Sequence, residues 1–347
     1  MDVDLEALVR NAAALTRHAG VPLLPMVKAD AYGLGVGPVV RALETLDPFG
    51  YGVATIDEGR ELRAAGVQRP VLVFTPLSHD EFSVARAAAL TPTLSETSAI
   101  AQWTMSGGGA WHLAIDTGMN RAGARWDALD DLVVIVRQSP PAGAFTHYHS
   151  AEMDDGSMEV QEERFSTALA TLGVRHLLLH AENSAGIARR PRSRWNLVRP
   201  GVFLFGVGSG AGAGIAPDAV VSVRARVVDV RDVRVAEGVS YGASWKAERA
   251  SRVATLAIGY GDGYRRSLGN RGMALLHGRR VPVVGTVTMD MTMIDVTGMS
   301  CSVGDTATLV GTDGRETISV EDVAHACDLS PYEILTGLRQ RLARRYR

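Results

Sequence analysis

Cysteine is scarce. The 347-residue chain carries two, Cys301 and Cys327, too few for a disulfide framework or a zinc-ribbon site and in keeping with a reducing compartment. Long apolar runs are missing as well, so no segment is expected to span a bilayer. Neither sign of charge dominates: the formal net charge is −2, which argues against a surface built to coat nucleic acid. The opening, Met1-Asp2-Val3-Asp4-Leu5-Glu6, is acidic where a secretory signal would be basic and then apolar, so a cytoplasmic location is expected. No short-period repeat is present. What the chain does have is 46% hydrophobic and 21% charged residues, enough for a sizeable core and incompatible with wholesale disorder.

The first two thirds keep a regular beat. Residues 4–18 read as an amphipathic helix, with Leu5, Leu8, Val9, Ala12 and Leu15 at helical spacing, Asp4 as N-cap and Gly20 beyond its end. Apolar strand candidates occur at 21–27, 50–56, 71–74, 91–94, 111–115, 143–148, 176–179 and around Leu197. Helical stretches at 34–46, 57–65, 79–88, 97–105, 126–138 and 160–172 separate them, with a short last connection at 185–190. Strands joined by helical crossovers pair in parallel. Eight such repeats predict an α/β fold, a (β/α)8 TIM-like barrel, with an open doubly wound sheet as the competing arrangement.

The texture then changes. Residues 208–217 are Gly/Ala-rich and read as a linker or surface loop. Beyond them, β-branched runs at 219–230, 253–258, 281–284, 293–296 and 306–310 predict a mostly β C-terminal domain ending in a helical tail from about Pro331. The expected domains are 1–217, the barrel, and 218–347, the β domain.

Reactive groups of a parallel barrel gather at the C-terminal ends of its strands. Those ends carry Lys28, Arg121, His147 with His149, His180, Ser184 and Arg199. Lys28 comes after an apolar run, and partial desolvation would make its amine nucleophilic toward a carbonyl. Two patterns nearby carry less. Gly33-Leu34-Gly35-Val36-Gly37, with Asp57 as a ribose acid, imitates a dinucleotide-binding turn, but five residues part it from its strand. His147-Tyr148-His149 could place two imidazoles on one face of a strand, with His180, Asp154 and Asp155 completing a metal-dependent hydrolase site. His325 and Cys327 lack such partners and read as packing residues.

Lys28 does not stand alone. The stretch Met26-Val27-Lys28-Ala29-Asp30-Ala31-Tyr32-Gly33-Leu34-Gly35 resembles the pyridoxal-phosphate motif of the alanine racemase family. The similarity continues, in family order, through Asp116-Thr117-Gly118-Met119-Asn120-Arg121, Thr146-His147 and His180-Ala181-Glu182-Asn183-Ser184. It runs on through Val198-Arg199-Pro200-Gly201, Ser240-Tyr241-Gly242-Ala243, Ile258 to Gly263, Val287 to Met291, and Tyr332. Each motif is weak alone; the ordered series covers almost the whole chain.

The resemblance implies a barrel that holds pyridoxal phosphate, followed by a β domain. It implies that Lys28 binds the cofactor covalently and is one of two bases, with Tyr241 the other, on the opposite face of the substrate Cα. It assigns Tyr32, Ser184, Tyr332 and the N–H groups of Gly201 and Val202 to the phosphate. Arg199 would face the pyridine nitrogen; a guanidinium only donates, so that nitrogen stays uncharged and reprotonation at Cα is favoured over transamination. His147 would link Tyr241 to Arg199, while Arg121, Met289, Asp290 and Tyr260 would meet the substrate. The family also implies a homodimer whose subunits share their sites. One departure stands out: many members carry a carbamylated lysine seven residues before the arginine, where this chain has Ala114. The expected activity is therefore amino-acid racemisation, foremost of alanine for cell-wall D-alanine. Broad-specificity, serine or lysine racemases, a decarboxylase of basic amino acids and a non-catalytic cofactor carrier are the alternatives.

Overall fold

The computed structural model describes residues 1–210 and 212–347. Ala211, inside the Gly/Ala-rich stretch expected to be a linker, lies outside the described residues. The chain divides into two compact units. One comprises Leu8–Ala31 and Gly35–Asp218; the other comprises Met1–Ala7, Tyr32–Leu34 and Ala219–Arg347.

The first unit is the barrel. Its strands Tyr51–Val53, Val71–Val73, Thr91–Leu94, His112–Asp116, Gly143–Phe145 and Leu178–His180 pair in parallel in that order. Two further stretches close the ring. Leu23 bridges Val198 and Met26 bridges Gly52, both in parallel, while the Leu197 N–H donates to the Leu179 carbonyl at 3.2 Å. The first strand is reduced to these bridges because Pro22 and Pro25 have no N–H to give; their carbonyls still accept from Val198 and Gly52. Leu24, Leu72 and Leu197 form a buried layer inside the barrel, with Phe49 and Phe74 packed against it.

Helices form where the apolar spacing placed them, with boundaries set by capping. Ile56–Ala64 starts at Thr55, whose side chain and Glu58 make a reciprocal capping box. The helix expected at 126–138 begins later, at Asp130; residues 124–125 instead form a short strand paired with His112–Asp116.

The second unit is organised around the long strand Val221–Val233, whose alternating pattern buries Val221, Val223, Ala225 and Val227 on one face. Thr306–Asp313 and Ser251–Leu256 pair with it in antiparallel fashion. Asp2–Val3 joins the same sheet and pairs in turn with Arg345–Tyr346, so both chain ends lie in it. Elements beyond the sequence expectation include the strands Met273–Leu276 and Glu316–Ile318 and the helix Val320–Cys327, capped by Ser319 and Asp322. The tail is thus two helices, Val320–Cys327 and Pro331–Thr336. Among the described residues no helix is long and apolar enough to cross a membrane.

Candidate active site

Lys28 sits where the first barrel strand ends, and the chain takes an unusual path immediately beyond it. Ala29, Asp30, Ala31 and Tyr32 have φ of 53°, 54°, 51° and 56° and Gly33 has 85°, a full turn of left-handed helix. Each L-residue in that conformation costs about 1–2 kcal/mol, so the turn needs outside support. Glu58 supplies it within the barrel unit: Oε1 accepts the Ala29 N–H at 2.7 Å and Oε2 accepts the Ala54 N–H at 2.7 Å. Asp30 closes the turn by accepting the Val36 N–H at 2.7 Å. The Lys28 side chain opens to solvent at the rim, yet enough protein surrounds its amine to hold the pKa below the ordinary lysine value. Burial is the main cause, the Arg121 charge adds to it, and Glu58 opposes both.

Arg199 is the centre of the barrel's polar network and is 3% exposed. Nη1 donates to His180 Nδ1 at 2.8 Å and to the His180 carbonyl at 2.7 Å. Nη2 donates to the carbonyls of Thr146 at 2.7 Å and Ala181 at 3.0 Å and reaches His147 Nδ1 at 3.2 Å. The guanidinium also lies over the rings of Phe145 and Phe74, at 5.2 and 5.7 Å. Among the described residues no carboxylate bonds to it. Burial lowers its pKa to about 10, so it stays charged at neutral pH. Burial, and after it that charge, push His147 down to about 3, with Arg121 and Lys28 adding to the effect; His147 is therefore neutral.

Three donors of this network remain unspent among the described residues. The Arg199 Nε–H bonds to nothing. Ser184 Oγ accepts the N–H groups of Gly201 at 2.9 Å and Phe203 at 3.3 Å, leaving its own proton to donate. The Val202 N–H, at the start of the short 3-10 helix Val202–Phe205, also has no acceptor. The Gly201 N–H, assigned to the phosphate by resemblance, is thus already given to Ser184. A free guanidinium N–H suits the unprotonated ring nitrogen of pyridoxal phosphate, and hydroxyl and N–H donors suit its phosphate. Arg121 is exposed and, among the described residues, bonds to no other side chain; Ala114, paired with Phe145 in the ladder, offers no polar atom to brace it.

The residues of the imitative motifs diverge. His147 turns to Arg199, whereas His149 is exposed and pairs with Ser150 Oγ at 2.7 Å. His180 is enclosed by Arg199 and His112. Asp154 reaches Arg189 instead, and no group of three or more His, Cys, Asp or Glu side chains among the described residues is arranged to hold a metal ion. Asp57 faces solvent beside Arg60.

The β unit carries the remaining candidates. Tyr241 lies between left-handed residues, Ser240 at φ 64° and Gly242 at 72°. Its loop is pinned by Thr286, which accepts from Ser240 Oγ at 2.7 Å and donates to the Tyr241 carbonyl at 3.1 Å. The Tyr241 residue itself is 76% exposed and Met289 52%. The Met289 N–H has no acceptor among the described residues, while its carbonyl receives the Gly261 N–H at 2.8 Å. Tyr260 is bonded through its backbone to Thr288. Asp290 is engaged by Arg341 at 2.8 Å, which also holds buried Asp262 at 3.0 Å. The Tyr32 and Tyr332 rings lie 6.0 Å apart; burial raises the Tyr32 pKa, so its hydroxyl keeps its proton.

Two residues of evident importance escaped the sequence reading. Glu58 was legible as the last member of a Thr-x-x-Glu capping box, though nothing in that signal linked it to Lys28. His112 opens the strand His112–Asp116, and nothing in its sequence neighbourhood distinguishes it from an ordinary interior position.

Known proteins with the same pattern now bear on this geometry. The family profile described as alanine racemase, N-terminal domain, matches residues 3–209, and that for the C-terminal domain matches 220–346. An alanine racemase of Sorangium cellulosum is 35% identical, covering 100% of this chain and 98% of that protein. One from Deinococcus radiodurans is 38% identical, covering 99% and 97%. Among solved structures, the alanine racemase from E. faecalis superposes with a TM-score of 0.93 at 29% identity, over 100% of this chain and 97% of that one. The enzyme from Bartonella henselae, solved with covalently bound pyridoxal phosphate, gives 0.92 at 28% identity, over 99% and 98%. Matched along both halves and at full length, the chain belongs to the alanine racemase family.

Proposed function

We propose that this chain is a pyridoxal-phosphate-dependent racemase that interconverts L- and D-alanine by a two-base mechanism. In this reading it works in the cytoplasm as a homodimer with shared sites, its domains divide at 217/218, and its product is D-alanine for cell-wall precursors. The observation that carries the reading is the pairing on the barrel of a lysine amine held below its ordinary pKa with a buried arginine that has one unspent N–H and no carboxylate partner among the described residues.

Lys28 would hold the cofactor through its amine. Arg199 would donate Nε–H to the ring nitrogen; being a donor only, it leaves that nitrogen unprotonated. Ser184, Val202, Tyr32 and Tyr332 would bind the phosphate. When bound, the cofactor withdraws electrons from the substrate Cα and so makes its proton removable. Lys28 takes or returns that proton on one face and Tyr241 on the other. Because His147 Nδ1 faces a donor, its proton sits on Nε2, and that N–H would donate a hydrogen bond to the Tyr241 oxygen and so stabilise the phenolate. Arg121 and the Met289 N–H would hold the substrate carboxylate, with Asp290 and Tyr260 at its approach. The exposed Tyr241 ring supports its delivery to a second copy of the chain.

Borohydride trapping tests the cofactor assignment. The chain has two lysines, Lys28 and Lys246. The pyridoxyl mass is expected on the Lys28 peptide alone, with loss of the visible absorption band; a colourless protein, or label on Lys246, overturns it. A second reading, broad specificity, draws on Ala114 and the unbraced Arg121. Interconversion assays over alanine, serine, lysine and arginine decide: alanine preferred by a wide margin supports the first reading, comparable rates the second, and no interconversion refutes both.

A further inference from the structure

We infer that His112 is a positioning residue for the reaction. By accepting the His180 Nε2–H it locks His180 in the tautomer that receives Arg199, and so fixes the direction of the one guanidinium N–H left for the cofactor's ring nitrogen. The inference rests on the proposal that this site holds pyridoxal phosphate.

A guanidinium nitrogen has no lone pair to offer, so every contact it makes is a donation. Both Nη1 protons go to His180, one to Nδ1 and one to its carbonyl. The Nη2 protons go to the Thr146 and Ala181 carbonyls and toward His147 Nδ1. His180 Nδ1 must therefore carry a lone pair, and the ring proton sits on Nε2. That nitrogen is 2.8 Å from His112 Nδ1, which must in turn be the acceptor, leaving the His112 proton on its own Nε2. Neither ring can become a cation without breaking a bond to its neighbour. The electrostatics agree: burial and the Arg199 charge push His180 well below the ordinary histidine pKa and His112 down to about 4.

Packing prevents the alternative of a flipped ring. His180 is fully buried. Phe145 stacks on it at 5.1 Å and an interplanar angle of 13°, and Phe74 meets it edge-on at 6.3 Å and 88°. The opposite wall makes room for His112 by omission: a Cβ on Gly143, its partner in the ladder, would fall 2.4 Å from Cε1 and 2.5 Å from Nδ1 of the imidazole. The carbonyls of Thr146, His180 and Ala181 and the imidazoles of His180 and His147 thus form a rigid socket of neutral acceptors around the Nη protons, which fixes the guanidinium plane and with it the direction of the Nε–H, unspent among the described residues.

Two nearly isosteric variants separate the acceptor from the packing. Asn at this position puts an amide oxygen where Nδ1 was; Leu puts a methyl there. The holoenzyme of His112→Leu is expected to hold pyridoxal phosphate about tenfold more weakly and to lose about tenfold in kcat at unchanged KM, the scale of one lost hydrogen bond to a buried donor. His112→Asn is expected to stay within about threefold of wild type in both. In the wild-type apoprotein, long-range 1H–15N spectra of labelled histidine should show His180 neutral and protonated on Nε2. The inference is overturned by equal cofactor affinity and kcat in the Leu and Asn variants, or by a His180 that is cationic or protonated on Nδ1. If His112→Leu does not fold, the wild-type tautomer and the Asn variant still decide. A wild-type chain that binds no pyridoxal phosphate refutes the cofactor reading instead, and the apoprotein spectra distinguish the two failures.

Discussion

The barrel rim around Arg199 and the Tyr241 loop of the β unit spend their polar groups in opposite ways. Around Arg199 nearly every donor has an acceptor, the side chains are buried, and aromatic rings fix the imidazoles. In the β unit the hydrogen bonds pin backbone, through Thr286 and Thr288, while Tyr241 and Met289 project into solvent. The first region is satisfied within one unit except for the donors left for a cofactor. The second is a pinned backbone presenting side chains that are largely exposed among the described residues. Preorganised charge costs stability to build, because carbonyls and neutral rings must enclose a cation. An exposed phenol on a pinned loop costs little, and becomes useful only when something is laid against it.

That contrast predicts where substitutions hurt. Removing the amine at the rim should have the largest effect. Lys28→Ala is expected to lower racemisation by about a thousandfold or more, because both cofactor attachment and one of the two bases go with it. A chiral assay together with the visible spectrum checks this; turnover retained above a hundredth of wild type would mean that the amine is not at the reacting centre.

Tyr241→Phe probes the other region. An exposed ring that loses only its hydroxyl should leave the denaturation midpoint where it was, within about 0.5 kcal/mol. Turnover should nevertheless fall by roughly 100- to 10,000-fold, the usual range for a lost acid–base group. Cα-deuterated enantiomers should show the asymmetry, with a larger isotope effect from the enantiomer whose proton Tyr241 removes. Equal isotope effects in both directions at an unchanged rate would remove the phenol from the mechanism and leave its exposure unexplained.

Much of this was legible before any coordinates. The βα beat located six barrel strands and the two bridged stretches that close the ring, because each is a short apolar run bounded by amphipathic helices. Val221–Val233 declared itself by alternation. Other elements did not, among them one strand and one helix of the β unit. Met273–Leu276 is continuously apolar and too short to separate from a helical stretch, and Val320–Cys327 was announced only by its Ser319–Asp322 cap. At the site, Lys28, Arg199 and Tyr241 were found by their motifs. The left-handed turn was not, because Ala29-Asp30-Ala31-Tyr32 contains none of the residues that favour positive φ apart from Asp30. His112 was invisible for a different reason: its role exists only through His180, 68 residues away.

Acid should break the barrel-side network before it touches the β loop. His112, His147 and His180 all have folded pKa values depressed by burial and by Arg199. As pH falls below about 6.5, the unfolded chain takes up these protons and the folded chain does not, so stability drops with pH until the folded values are reached. With His112 near 4, that residue alone accounts for about 3 kcal/mol across the interval. Urea midpoints of the apoprotein between pH 7 and pH 4.5 should fall more steeply for wild type than for His112→Asn. Parallel slopes would show that His112 titrates normally and that the ring is not enclosed as described.

The smallest expected effect comes from the strained turn, and it sharpens what rigidity at the rim is for. Ala29 holds φ of 53° on the exposed side of the turn, with its N–H on Glu58. Glycine adopts that conformation without the Cβ penalty of about 1–2 kcal/mol, but gives back roughly 0.5–1 kcal/mol as extra freedom in the unfolded chain. Ala29→Gly should therefore stabilise the protein by about 0.5–1 kcal/mol while keeping the Glu58 bond. The same change loosens the residue next to Lys28, so kcat should fall about two- to threefold as stability rises. A gain in stability with no loss of turnover would mean that the left-handed turn is carried only for the path of the chain. A loss of stability would mean that the alanine is not left-handed in solution, and the strain argument would go with it.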